Sequence, residues 1–95
     1  MVLKTNIMKV NNLTNSNGNF VPNQFEIYRN GETFFQSYDT IIVKIDKKGK
    51  TILDNNALNY SDTTSKYLYR FLGYDRKEIL ERIKDKRIIL KNLNK

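Results

Sequence analysis

The sequence predicts an α+β fold, an antiparallel β-meander of four to five strands with two short helices packed on one face. Three observations predict it. Asn30-Gly31 sits between two runs of β-forming residues, and that dipeptide meets the positive φ of both central positions in a type I′ turn. A second pair of β-forming stretches, residues 40–46 and 51–53, flanks Asp46-Lys47-Lys48-Gly49, a type I turn closed by glycine. From Ser61 onward the apolar spacing changes from a period of two to that of a helix.

The two-residue turn at Asn30-Gly31 fixes a register. Arg29 faces Glu32, Tyr28 faces Thr33, Ile27 faces Phe34, Glu26 faces Phe35 and Phe25 faces Gln36. Phe25, Ile27 and Phe34 then share one face, with Tyr28 and Phe35 on the other. In residues 40–46 alternation places Ile41, Val43 and Ile45 together, opposite Ile42 and Lys44. Ser61 or Asp62 caps the first helix, Thr64, Tyr67, Leu68, Phe71 and Leu72 line its inner side, and Gly73 stops it. Asp75 and Glu78 have capping-box spacing, Tyr74 and Ile79 that of a hydrophobic staple. Ile79, Leu80 and Ile83 face inward, and Glu78–Arg82 is in i,i+4 register. Arg87-Ile88-Ile89-Leu90 is β-branched enough to return as a last strand. Before the hairpin, Val2, Ile7, Met8 and Val10 offer only an irregular strand, and residues 11–23 are rich in Asn. The expected division is an Asn-rich N-terminal arm, 1–22, and one domain, 23–95.

Composition narrows the function classes. The chain of 95 residues has a formal net charge of +7, 39% hydrophobic residues, no Cys and no His. That length suits a single modest core. Nothing approaches the roughly 20 apolar residues of a membrane span, and residues 1–10 lack the pattern of a signal peptide. The expected compartment is the cytoplasm. Residues 1–43 carry three basic and three acidic side chains, so the whole positive excess lies from Lys44 onward. Such asymmetry points to an anionic partner, although a Lys-, Asn- and Ile-rich composition also follows from an AT-rich genome.

Catalysis is poorly provided for. The usual base near neutral pH, a thiolate nucleophile and soft metal ligands are all missing from the sequence. Asp39, Asp46, Asp54, Asp62 and Asp75 each fall at an expected turn or cap, where a short acceptor is structurally useful. No cofactor, no metal and no enzymatic activity are expected. The candidate binding residues are Lys44, Lys47, Lys48 and Lys50 around the second turn, where a lysine cluster follows a phosphate backbone without reading sequence. Lys66, Tyr69 and Arg70, on the outer side of the first helix, have the composition of an interface anchor or a base-stacking surface. Exposed lysines also serve solubility and edge protection, so both sets compete with an ordinary surface role. The basic run Lys84, Lys86, Arg87, Lys91 and Lys95 is a weaker candidate, since late cations also suit a helix C-terminus.

Three stretches, FFQSYDTIIVKI, LNYSDTTSKYLYRFLG and ERIKDKRIILKNLN, resemble small proteins of unknown function encoded by phages and mobile elements of low-GC Gram-positive bacteria. The resemblance covers residues 22–94. Its signature strand is Phe35, Gln36, Ser37 and Tyr38, and its signature helix start is Tyr60, Ser61, Thr63, Thr64, Lys66 and Tyr67. It implies a catalytically empty module of the kind mobile elements direct against host nucleic-acid machinery, anti-CRISPR proteins among them. The leading expectation is therefore a non-enzymatic inhibitor, acting in the host cytoplasm on a defence nucleoprotein such as a CRISPR effector. One alternative is a DNA- or RNA-binding accessory protein using Lys47, Lys48, Lys50, Lys66 and Arg70. The other is a structural or virion-associated module, self-associating around Tyr28 and Phe35.

Overall fold

The computed structural model describes residues 8–95. Strands β1 (Met8–Thr14), β2 (Phe20–Arg29), β3 (Glu32–Ser37), β4 (Thr40–Ile45) and β5 (Thr51–Asp54) are followed by a 3₁₀ turn, Ala57–Asn59. Helices α1 (Asp62–Leu72) and α2 (Arg76–Lys84) come next, and β6 (Ile88–Lys91) ends the fold. The strands form one six-stranded sheet in chain order, antiparallel throughout except that β6 runs parallel to β5. The α+β class holds, with more strands than the expected four to five.

The additional strand comes from the segment expected to be an arm. Val2 and Ile7 lie outside the described residues, whereas Met8 and Val10 lie in β1, paired with Arg29 and Ile27. The Asn-rich run is a capped turn. Asn15 Oδ1 accepts from the N–H groups of Asn17 (2.9 Å) and Asn19 (3.1 Å), and Gly18 takes φ +80°. These contacts absorb the turn-forming residues and leave both flanks to pair. Pro22, which has no N–H to donate, falls where the ladder is interrupted between Asn12↔Phe25 and Thr14↔Phe20.

Between β2 and β3 all five expected pairs form, with Gln24↔Ser37 beyond them, and Asn30 (φ 52°) and Gly31 (φ 84°) make the turn. Between β3 and β4 the register slips. Phe35 pairs with Val43 and Gln36 with Ile41, so Ile42 is the extra residue of a bulge. Ile42 and Val43 are consequently both buried, and the strict alternation expected for this strand fails there.

Both helices pack on the face carrying Phe35, Val43, Leu53 and Ile88, which forms the core with Ile42, Tyr67, Leu68 and Ile79. Phe35 is fully buried, its ring stacked on Phe71 at 5.6 Å between centroids. Phe35 is therefore covered by the helices, whereas Tyr28 on the same face is 46% exposed. The uncovered side is the reverse face, where Phe25, Ile27, Phe34 and Ile52 lie outside the core cluster.

Ser61 caps α1 by accepting from Thr64 N–H (3.3 Å), and Gly73 ends it at φ 85°. Asp75 caps α2, accepting from Glu78 N–H (3.0 Å), while the Glu78 carboxylate turns to Arg82 (2.7 Å) instead of closing the box. Arg82 also lies over Tyr74, 4.1 Å from the ring centroid. Leu80, expected inside, is 46% exposed, while Ile79 is buried in the core and Ile83 packs against it.

Asp54 joins the two halves of the fold. Its carboxylate is buried at the end of β5, with Oδ1 accepting from Leu93 N–H (2.9 Å) and Asn94 Nδ2 (3.1 Å). Oδ2 accepts from Asn56 N–H (3.1 Å) and Tyr60 O–H (3.3 Å). Asn94 in turn accepts from Ile41 N–H and donates to Ile41 C=O, standing in for a strand partner that β5 is too short to supply. Burial alone would raise the Asp54 carboxyl, but these hydrogen bonds outweigh it and hold the group below the ordinary carboxylate range. Burial and the adjacent Asp54 charge push Tyr60 up.

Removing this carboxylate strands several donors. Asp54→Ala should destabilise the fold by about 3 kcal/mol, read from urea unfolding at pH 7. Because the folded-state pKa is depressed, Asp54 contributes its stability above the unfolded-state pKa, and that contribution is lost as pH falls through the folded value. Urea midpoints from pH 7 downward should therefore fall more steeply below pH 4 for the native chain than for Asp54→Asn.

Candidate functional site

The hairpin register places the turns Asn30-Gly31 and Asp46–Gly49 at the same end of the sheet. They touch, since a Cβ added to Gly31 would stand 3.2 Å from Lys47 Cγ. The parallel pairing Thr51↔Ile88 brings the α2–β6 connection to that end as well, and Lys50 Nζ donates to Lys86 C=O at 2.8 Å. Arg29, Lys44, Lys47, Lys48, Lys50, Lys86 and Arg87 thus gather from three separate segments.

The cations at this end are not equivalent. Lys44 is paired with Glu32 (3.2 Å) on the reverse face, and Arg87 with Asp85 (2.8 Å). The Arg87 contact holds Asp85 below its ordinary range and raises Arg87. Asp46 is occupied by the turn, where Oδ1 accepts from Lys50 and Lys48 N–H, each at 2.9 Å. These bonds, the Lys50 one foremost, hold its carboxyl below the ordinary carboxylate range. Among the described residues Lys47, Lys48 and Lys86 have no carboxylate within ion-pair distance. Together with Arg29, which is exposed and likewise in no ion pair among the described residues, they are the part of the end that remains available to an external anion.

The second predicted set lies elsewhere. Arg70 donates to Asn15 C=O (3.1 Å), tying α1 to the β1–β2 turn, and Tyr69 is half-buried against the core. Lys66 is exposed, with Nζ 5.6 Å from the Tyr67 ring centroid. The structure therefore brings Lys44, Lys47, Lys48 and Lys50 together and leaves Lys66, Tyr69 and Arg70 on a different element. The late basic run is split, Lys86 and Arg87 at the basic end and Lys91 beside Asp54 at the other. Asp46 and Asp54 stand at opposite ends of β5.

At the far end of β3 lies a half-open cavity of about 230 Å³, lined by Ser37, Tyr38, Thr40, Ile42, Tyr60, Ser61 and Thr64. A chain of hydrogen bonds forms its inner wall. Gln24 Nε2 donates to Ser37 Oγ (3.0 Å), the Ser37 and Thr64 hydroxyls share a bond of 2.9 Å, and Ser61 Oγ donates to Thr64 Oγ1 (3.3 Å). Gln24, Ser37 and Thr64 are all buried. Tyr38, 58% exposed, stands at φ 57°, where its N–H donates to Asn23 C=O (2.6 Å) and its C=O accepts from Gln36 Nε2 (2.7 Å). A left-handed tyrosine is uncommon and persists only because such contacts hold it. Nothing in the local sequence announced this cavity. Its walls come from β3, β4 and the start of α1, although they include five residues of the two signature stretches.

A model of a family of unknown function, DUF8033, matches residues 8–89. The chain belongs to this family. The match starts at the first residue of β1 and ends within β6, so it takes in residues 8–21, which the sequence resemblance had left without a counterpart. No curated protein and no solved structure matches the chain.

The two regions should respond differently to mutation. Lys47→Glu with Lys48→Glu, both exposed, should change unfolding free energy by less than about 0.5 kcal/mol. Ser61→Ala, which removes the α1 cap, should cost about 1 kcal/mol in the same urea titration.

Proposed function

We propose that this protein is a non-enzymatic module that binds the phosphate backbone of a nucleic acid through the basic end of its sheet. The observation that supports this most is the meeting of three cationic segments at one end, with Lys47, Lys48 and Lys86 lacking acidic partners there. Lysines on turns projecting from a rigid sheet suit a backbone ligand. Their ammonium groups act as point charges that need no exact angular match, so they confer affinity without sequence preference.

The same electrostatics shapes the narrower reading, an inhibitor of a host defence nucleoprotein of the CRISPR-effector type. A protein imitating nucleic acid would have to be acidic, whereas this chain carries +7. Such an inhibitor would therefore engage the nucleic acid of the complex, such as its guide or displaced strand, and obstruct it by occupancy. Catalysis has no part in either version, and Asp54, the most buried carboxylate, is occupied by structural donors.

Fluorescence anisotropy with short DNA and RNA, single- and double-stranded, tests the proposal. Binding should weaken as salt rises, with a log–log slope of roughly −0.7 to −0.9 for each phosphate neutralised. The triple variant Lys47→Glu, Lys48→Glu, Lys86→Glu should reduce that slope by about 2–3 and weaken all sequences alike. Undiminished affinity in the triple variant would place the interaction elsewhere. Absence of binding at low salt would remove the free nucleic-acid reading.

A further inference from the structure

The cavity at the far end of β3 has hydrogen-bonding capacity that the protein does not use. Ser37, Thr64 and Ser61 supply three hydroxyl protons to a chain that consumes two, one from Ser61 to Thr64 and one between Thr64 and Ser37. Gln24 Nε2 already donates to Ser37, and Gln24 Oε1 has no partner, so it does not take the third proton. With Gln24 Nε2 as the donor to Ser37, one of the Ser37 and Thr64 hydroxyls keeps a proton to donate whichever way the bond between them points. Both residues are at least nine-tenths buried, and both line the cavity.

The remaining walls define what that donor meets. Ile42 is apolar, Tyr38 and Tyr60 are aromatic, and Thr40 adds a hydroxyl that can donate or accept. No charged side chain lines the space, and the neighbouring acids Asp39 and Asp62 disfavour an anion. A volume of about 230 Å³ is below the range of drug-sized sites and suits a single flat ring.

We infer that this cavity accepts one unpaired nucleobase, stacked on tyrosine and hydrogen-bonded along its edge by Ser37, Thr40 and Thr64. The inference rests on the nucleic-acid reading above and adds to it a contact to a base. Hydroxyls serve either polarity of a base edge, so discrimination among bases is modest. Single-stranded regions are the ligand, since only an unstacked base enters a pocket of this kind. The basic end and the cavity lie at opposite ends of β3, six residues or about 20 Å apart, which a few nucleotides of single strand bridge.

The test is heteronuclear NMR on the full chain with uridine, cytidine, adenosine and guanosine, which lack the phosphates that the basic end would bind. Expected are saturable shifts at Ser37, Thr40 and Thr64 with roughly millimolar affinity. They should weaken about fivefold or more in Tyr38→Ala and persist in the Lys47→Glu, Lys48→Glu variant. No saturable shift with any nucleoside, or shifts that ignore both Tyr38→Ala and Thr64→Val, would overturn the inference. Tyr38 is exposed, so its variant carries the test if Thr64→Val fails to fold.

A single-stranded oligonucleotide separates the two sites. Tyr38→Ala should lower its affinity without altering the salt slope, which the lysine variants alone reduce. Salt-dependent binding indifferent to Tyr38→Ala would discard the cavity and leave the basic end standing. Nucleoside binding without oligonucleotide binding would do the reverse.

Discussion

The fold depends on one buried carboxylate. Asp54 ends β5, and its two oxygens collect donors from the 3₁₀ turn, from Tyr60 and from the tail after β6. A carboxylate at this depth is tolerated only when its acceptor capacity is filled, and here every partner is also a segment that needs to be placed. Asn94 extends the constraint to the bulged strand β4, whose Ile41 would otherwise present an unpaired peptide group. Deleting the carboxylate would loosen the turn, the tail and the edge of the cavity together.

Around this anchor the molecule separates its surfaces by chemistry. Loops at one end of the sheet carry lysine and arginine, and the opposite end carries hydroxyls and tyrosine. The reverse face sets Phe25, Ile27, Phe34 and Ile52 beside the Lys44–Glu32 pair, and the helix face makes the core. Much of this follows from strand direction. Hairpins joined by short turns put alternate connections at the same end, so residues 30–31 and 46–49 must be neighbours once the meander forms. The Lys47 stem resting on Gly31 is the local consequence, and it explains why a glycine suits that corner beyond its backbone angle.

How far the sequence spoke for the structure depended on the range of each interaction. The Asn30-Gly31 hairpin was legible to the residue, because a two-residue turn sets register by itself. Both helix caps and the Gly73 stop were legible for the same reason. The Asn-rich segment misled because the residues that form a tight capped turn are those that also mark a linker, and only pairing with β2 distinguishes the two. The bulge at Ile42 left no sign in a run of β-branched residues. Asp54 read as one more turn aspartate, although it is bonded to a residue 39 positions away. In the candidate site the lysines of the second turn stood out by local density. Lys86 could join them only through the parallel register of β6, and the cavity required three distant segments to converge.

That parallel pairing also bears on the order of assembly. The meander from β1 to β5 is made of neighbouring contacts and closes short loops, whereas β6 returns beside β5 only after both helices have been laid down. A nascent chain therefore completes most of its sheet while the Asp54 oxygens and the inner edge of β5 still face water. Until β6 docks, β5 is an open strand edge with an apolar surface, the state in which such a sheet is most prone to recruit a strand from another molecule. Docking of β6 closes that edge of β5 and moves the open edge of the sheet to a strand four residues long.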